Sequence, residues 1–171
     1  MINKKVLDLL NSQINKELYS AYLYLGISQY YSNAMLEGFA NWYKIQAKEE
    51  QDHAELFMQY IQNCGEEIVL EAIAKPNVSY SDLKQGIEAS VAHERYITGE
   101  INTIYSTALE EKDYKTIEFL NWFIKEQVEE EKNAEEQLKK FELFNGDKKG
   151  LYMLDRELAA RAYSAPSLIL S

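Results

Sequence analysis

Four stretches of this chain carry apolar residues at helical spacing, and each is interrupted near its middle by a carboxylate on the face that should be buried. The second stretch reads Phe39, Tyr43, Gln46, Glu50, His53, Phe57, Tyr60, Cys64 in alternating steps of four and three, the period of a single helix face. Glu50 and His53 therefore share that face. The first stretch runs Leu10, Ile14, Glu17, Ala21, Tyr24, Ser28, and the third Leu83, Ile87, Ser90, Glu94, Ile97, Ile101, Ile104, Ala108. The fourth runs Thr116, Leu120, Phe123, Gln127, Glu130, Ala134, Gln137, Phe141. No Lys or Arg occupies a stripe position. Carboxylates taken out of water repel one another and cost several kcal/mol each unless something compensates them. Metal cations are the simplest compensation for four acids and an imidazole in one core.

The spacing predicts helices over about 4–33, 36–64, 82–111 and 114–144. Gly65 is placed to terminate the second helix, and Ser81 or Asp82 to cap the third. With 7 Gly and 2 Pro in 171 residues, long helices are the natural reading. Helices of about 28 residues would each extend ~42 Å, and near-equal lengths favour a four-helix bundle. Short turns make the first two helices an antiparallel pair, and the last two likewise. Glu66–Ser81 holds Lys75-Pro76-Asn77 and no strong helical pattern. At roughly 15 residues it exceeds the usual 2–8 of a helix–helix connection, so the second and third helices can run parallel across a long crossover. Asn145 to Gly150 then breaks the chain. A shorter amphipathic helix is expected over about 148–163, with Leu151, Leu154, Leu158 and Ala162 on one face. The tail 164–171 contains Pro166 and is not expected to be helical throughout. The whole, residues 1–171, is expected to be one all-α domain.

Charge and composition narrow the function classes. A formal charge of −10 argues against nucleic acid, which requires clustered Lys and Arg. One cysteine, Cys64, excludes a disulfide framework and a thiolate metal site, and its stripe position suits a small buried hydrophobe. No apolar run approaches the roughly 18 residues that span a membrane. The segment Met1–Asp8 lacks a signal-peptide apolar core, and a cytoplasmic location is the expectation.

Oxygen-rich carboxylate sites with one imidazole suit iron and manganese. Glu50 and His53, three residues apart, are neighbours on a helix surface. This arrangement resembles the ferritin-like di-iron carboxylate bundles, in which two helices give one Glu each and two give Glu-x-x-His. The first three helices fit with Glu17, Glu50-Gln51-Asp52-His53 and Glu94. The fourth departs, because Gln127-Val128-Glu129-Glu130 stands in place of Glu-x-x-His. That departure is similar to the non-haem bacterial ferritins. Further likeness lies in Asn15–Tyr24, Lys48–Ala54, Ala92–Arg95 and Phe119–Gln127, so the similarity spans nearly the whole chain. Haem-binding bacterioferritins place a methionine between the Glu and His of the second helix. Gln51 and Asp52 stand there in this chain, and no haem is expected.

The resemblance implies one iron site from Glu17, Glu50 and His53, and a second from Glu50, Glu94 and Glu130 with Gln127 nearby, the first binding more tightly. A third iron site would use Glu49, Glu126, Glu129 and Glu130. Read without the resemblance, Glu129-Glu130-Glu131 is a charge run of the kind that forms a wet helix face. Tyr24 has two readings, a core aromatic whose hydroxyl needs a partner or, by resemblance, an electron donor beside the iron pair. Trp122 reads as packing and His93 as a surface histidine. The implied chemistry is ferroxidase: Fe²⁺ is oxidised by O₂ or H₂O₂, and ferric mineral collects in a shell of 24 identical subunits. In such a shell the fifth helix would line four-fold axes and Glu118 three-fold channels. Three alternatives stand beside this reading. A di-iron peroxidase or oxygenase of rubrerythrin type would need a Cys-rich electron-transfer domain. A DNA-protecting mini-ferritin relative would lack the fifth helix and share its site across a dimer. A helical interaction protein would use its acids structurally.

Overall fold

The computed structural model describes residues 2–144 and 146–170. Five helices follow in order: α1 (Lys4–Asn33), α2 (Glu37–Asn63), α3 (Leu83–Glu110), α4 (Tyr114–Leu143) and α5 (Lys148–Leu158). Among the described residues there is no strand. The first four form the bundle, and α5 packs at the end where α2 begins and α4 finishes. Asn145, Met1 and Ser171, named in the expected break and the two termini, lie outside the described residues.

Local chemistry explains most boundaries. Asn3 Oδ1 accepts from Lys5 N, Asp82 from Lys84 and Gln85 N, Asp113 from Thr116 N, and Asp147 from Lys149 N, each satisfying amides that a helix start leaves open. Gly65 takes φ +75° after α2, the left-handed conformation that a terminating glycine adopts without strain. The α2 start differs, since Leu36 offers no side-chain cap. Instead Asp155 of α5 accepts from Gly38 N at 2.8 Å and Phe39 N at 3.0 Å. A Cβ on Gly38 would lie 1.7 Å from the Asp155 carbonyl oxygen, so only glycine admits this approach.

The crossover 66–82 runs alongside α1, from Ile2 just ahead of that helix to its last turn. Ile2 N donates to Glu66, Val69 N to Asn11, and Asn15 to the Ala72 carbonyl. Further along, Val78 packs on Gly26 and the Tyr80 ring meets Tyr30 edge-on at 5.1 Å. The chain thus returns to the level at which α2 began, and α3 runs parallel to α2, as expected.

The fifth helix is shorter than expected. It ends at Leu158 rather than near 163, and Ala162 lies exposed beyond it. Leu154 and Leu158 are buried, which completes the helix's apolar contact. The following residues turn back along α2, where the Ala159 and Arg161 carbonyls accept from Asn41.

The core is divided in two. Val6, Leu10, Ile14, Phe57, Ile61, Ile101, Leu120 and Phe123 fill one half. Tyr24, Ile27, Tyr31, Phe39, Tyr43, Ile87 and Phe141 fill the other. Cys64 is half-buried and packs on the first cluster. Between the halves lies a belt of buried polar side chains: Gln13, Glu17, Gln46, Glu50, His53, Glu94, Gln127 and Glu130. The four interrupted stripes meet in that belt.

Candidate metal centre

Side chains of all four long helices converge here at one level. Glu17 comes from α1, Glu50 and His53 from α2, Glu94 from α3 and Glu130 from α4, each at most 6% exposed. They form overlapping groups whose potential ligand atoms lie within 4.8 Å of one another: Glu17, Glu50 and His53 in one, Glu50, Glu94 and Glu130 in the next. Glu50 belongs to both, and its Oε2 lies 3.4 Å from His53 Nδ1.

Amides and hydroxyls of the belt restrain these acids. Gln13 donates to Glu17 Oε1 at 2.8 Å. Gln46 Nε2 reaches Glu50 Oε1 at 3.2 Å and Glu130 Oε2 at 2.6 Å. The Tyr24 hydroxyl donates to Glu94 Oε1, and Gln127 Nε2 lies 3.3 Å from Glu94 Oε2. Glu17 Oε2, by contrast, is buried with no amide or hydroxyl donor among the described residues, and the Glu17 carboxyl hydrogen-bonds only by sharing a proton with Glu50 on that side. A buried acid oxygen left open is costly, and the strongest charge acting on this carboxyl is that of Glu50. A proton or a metal ion can hold such a pair of acids together.

Burial is the main electrostatic effect. It pushes Glu17 up to about 8, with the Glu50 charge adding to it. Burial and Glu50 do the same to Glu94, also about 8, while burial and Glu94 bring Glu130 to about 8. Burial, then Glu130, raises Glu50 well above the usual carboxylate range. Burial and the Glu94 charge raise the Tyr24 phenol. Without a cation the belt keeps its protons near neutrality; two divalent ions would replace them with comparable charge compensation. The donor set of carboxylates and one imidazole suits iron or manganese.

The remaining expected residues are placed as follows. Glu126 and Glu130 form a third group with His53. Glu49 lies near the middle of α2, next to Glu50, and is ion-paired with Arg161, whereas Glu129 is exposed and outside all three groups. Gln127 faces Glu94 through its amide nitrogen, so it meets the acids as a donor and not through its oxygen. Trp122 packs edge-on against His53 and Phe123 and donates its indole N–H to Ser167. Glu118 is exposed on α4. His93 corrects the sequence reading: it is 9% exposed and lies 2.7 Å from Ser20 Oγ, among the rings of Tyr19, Tyr24 and Tyr96. Close α1–α3 packing covers the position beside the stripe, and desolvation lowers His93 to about 4.

Sequence reasoning placed Gln46 on the stripe but gave it no role. Its polarity at a core position was the available signal. Gln13 sits four residues before Glu17, a helical neighbour. Nothing local pointed to Arg161.

A four-helix bundle whose core gathers overlapping groups of glutamates and one histidine that could hold metal has the architecture of the carboxylate metal-binding bundles. A family model described as Ferritin-like domain matches residues 7–144, and the chain belongs to the ferritin family. It is 39% identical over 163 residues to a bacterial non-heme ferritin of Staphylococcus saprophyticus, covering 95% of this chain and 98% of that one. A bacterial non-heme ferritin of Staphylococcus epidermidis is 38% identical, with 96% and 99% covered. Among solved structures, a novel open pore ferritin from the hyperthermophilic archaeon Archaeoglobus fulgidus superposes with a TM-score of 0.93 at 37% identity, over 95% of this chain and 100% of that one. No described helix is long and apolar enough to cross a membrane.

Proposed function

We propose that this chain is an iron-storage ferritin whose substrate, Fe²⁺, is bound in pairs and oxidised in the polar belt. The observation that carries the reading is the pair of groups sharing Glu50, with Glu17 Oε2 open at the centre of an otherwise apolar core. Glu17, Glu50 and His53 hold one ion. Glu50, Glu94 and Glu130 hold the other, with Glu94 drawn away from its contacts to Gln127 and Tyr24. Two Fe²⁺ each give one electron to O₂, which takes up two protons and leaves as H₂O₂. The apolar halves on either side exclude water, and the protons displaced from Glu17, Glu94 and Glu130 when metal enters are available at the site. In the metal-free fold Tyr24 donates to Glu94 beside the second ion's position.

The bacterial non-heme ferritin relatives support the iron assignment. The non-haem reading rests on Gln51 and Asp52 in the second helix. Ferric product is deposited inside a shell of 24 copies in the cytoplasm, with α5 at the four-fold axes. A small oligomer would favour the rubrerythrin-type or mini-ferritin readings instead.

Anaerobic Fe²⁺ titration of the metal-free protein, followed by admission of O₂, tests the reading. The expected result is binding of two ions per chain, then ferric absorbance with one O₂ consumed per pair. Sedimentation should give a particle near 24 times the 19.9 kDa subunit. Absence of binding, or binding that survives in Glu50→Ala, would overturn the site.

A further inference from the structure

The chain beyond α5 is pinned along α2 and across to α4. The Tyr163 hydroxyl donates to Asp52 at 2.7 Å, and Lys48 Nζ sits 3.3 Å from the centre of the Tyr163 ring. Trp122 donates to Ser167 at 2.9 Å, and Gln59 to the Leu170 carbonyl at 3.0 Å. Leu168 and Leu170 pack on the half of the core that holds Phe57 and Phe123. This strap delivers one guanidinium to the belt. Arg161 stacks on Trp42 at 4.1 Å, and its Nη1 donates to the Trp42 carbonyl at 3.2 Å and to Gln46 Oε1 at 2.9 Å. Its Nη2 donates to Glu49 Oε2. The Arg161 and Glu49 side chains are only 16% and 17% exposed, so this is not a wet surface pair.

Two consequences follow from the chemistry of arginine. A guanidinium only donates and does not lose its charge. Gln46 must therefore turn its oxygen to Arg161, which leaves Nε2 facing Glu50 and Glu130, the contacts observed. Glu49 is also committed: its carboxylate already has a cation. Glu49 acts electrostatically on Glu130 and feels Glu126 and His53, so it borders the flank where His53, Glu126 and Glu130 converge.

We propose that Arg161 is a tethered cation that takes the place of an additional metal ion beside Glu49, holding the centre to two ions and fixing the pose of Gln46 against Glu50 and Glu130. The proposal rests on the two-ion reading above. A further divalent ion arriving at Glu49 would meet the positive charge of Arg161 and would have to displace the strap. Arg161 is thus a positioning residue and a determinant of stoichiometry.

The test is calorimetric titration of the assembled, metal-free protein with Zn²⁺, a redox-inert probe, under identical buffer for each variant. The wild type is expected to take two ions per chain. Arg161→Gln is expected to gain a third, bound at least about tenfold more tightly than any third ion in the wild type, because a nearby like charge has gone. Glu49→Gln in that background should abolish the gain, and Arg161→Lys, which keeps the charge, should hold the count at two. Hydrogen exchange on the wild type gives an independent measure. The first two equivalents of Zn²⁺ should leave exchange of residues 159–170 unchanged, and a large excess should accelerate it. A count of two in Arg161→Gln, a third ion that survives Glu49→Gln, or a strap indifferent to excess Zn²⁺ would each overturn the proposal. Failure of the wild type to bind any ion would instead remove the two-ion reading itself.

Discussion

The two groups that share Glu50 are unequal, and their difference shows how a symmetric-looking cage acquires an order of filling. The group of Glu17, Glu50 and His53 contains a nitrogen donor and an acid oxygen without an amide or hydroxyl donor. A metal entering there gains an imidazole and displaces the Glu17 proton but no amide or hydroxyl donor from Glu17 Oε2. In the group of Glu50, Glu94 and Glu130, ligands come from carboxylates alone, and competitors are already in place. Tyr24 and Gln127 hold Glu94, and Gln46 holds Glu130. A metal arriving there must compete with those donors. We therefore expect the first group to fill first and the second to exchange its ion more readily.

The strongest break of the comparison is Glu50→Ala, which removes the ligand common to both groups. Anaerobic titration should show both affinities falling by more than about 100-fold, beyond the 10–100-fold cost of losing a mere supporting partner. His53→Ala should separate the groups, weakening the first by about 100-fold while the second changes little, because imidazole is absent from it. Equal losses at both would contradict the unequal assignment.

Acidity acts on both groups together. In the metal-free fold Glu17, Glu94 and Glu130 keep protons up to about 8, against an ordinary value of 4.5. The folded chain holds more protons than the unfolded chain between those values. Metal-free stability should therefore decline as pH rises from about 4.5 to about 8. Metal binding, which expels the protons, should weaken on acidification by about tenfold per pH unit for each proton displaced. Melting curves and titrations between those pH limits test both signs, and Glu17→Gln should flatten the stability profile.

Tyr24→Phe sharpens the contrast from the other side. It removes the hydroxyl that competes for Glu94, so the second ion should bind up to about tenfold more tightly, the equivalent of one charge-assisted hydrogen bond. The first ion should not respond. Asp155→Ala supplies the smallest effect, on stability alone. Loss of the α2 cap should cost about 1 kcal/mol, lowering the melting midpoint by roughly 2–4 °C with both affinities unchanged. A change in either affinity would mean that the distant α5 contact shapes the cage.

Much of this was legible beforehand because helical periodicity is a local property. Glu17, Glu50, His53, Glu94 and Glu130 could be assigned to buried faces from spacing, since side chains three or four apart share a helix surface. The long crossover was legible because Glu66–Ser81 lacks that periodicity while exceeding an ordinary turn. His93 was misread because periodicity gives one helix's own face and not the width of the contact that another helix makes with it. The end of α5 was misread for a similar reason. Leu154 and Leu158 complete the buried face, and Ala162, although in phase, continues a helix that has nothing left to cover.

The amino-acid order by itself determined the four long helices, their breaks at Gly65 and Asp113, and the level at which acid replaces oil on each face. These depend on φ and ψ preferences, capping groups and side-chain polarity within a few residues. Only the folded molecule decided that Asp155 would cap α2 more than a hundred positions away, that Gln46 would reach across to Glu130, and that Arg161 would rest on Glu49. Those pairings require segments remote in the chain to be brought within 3 Å or so, the reach of a hydrogen bond, and no local pattern encodes which remote partner will arrive.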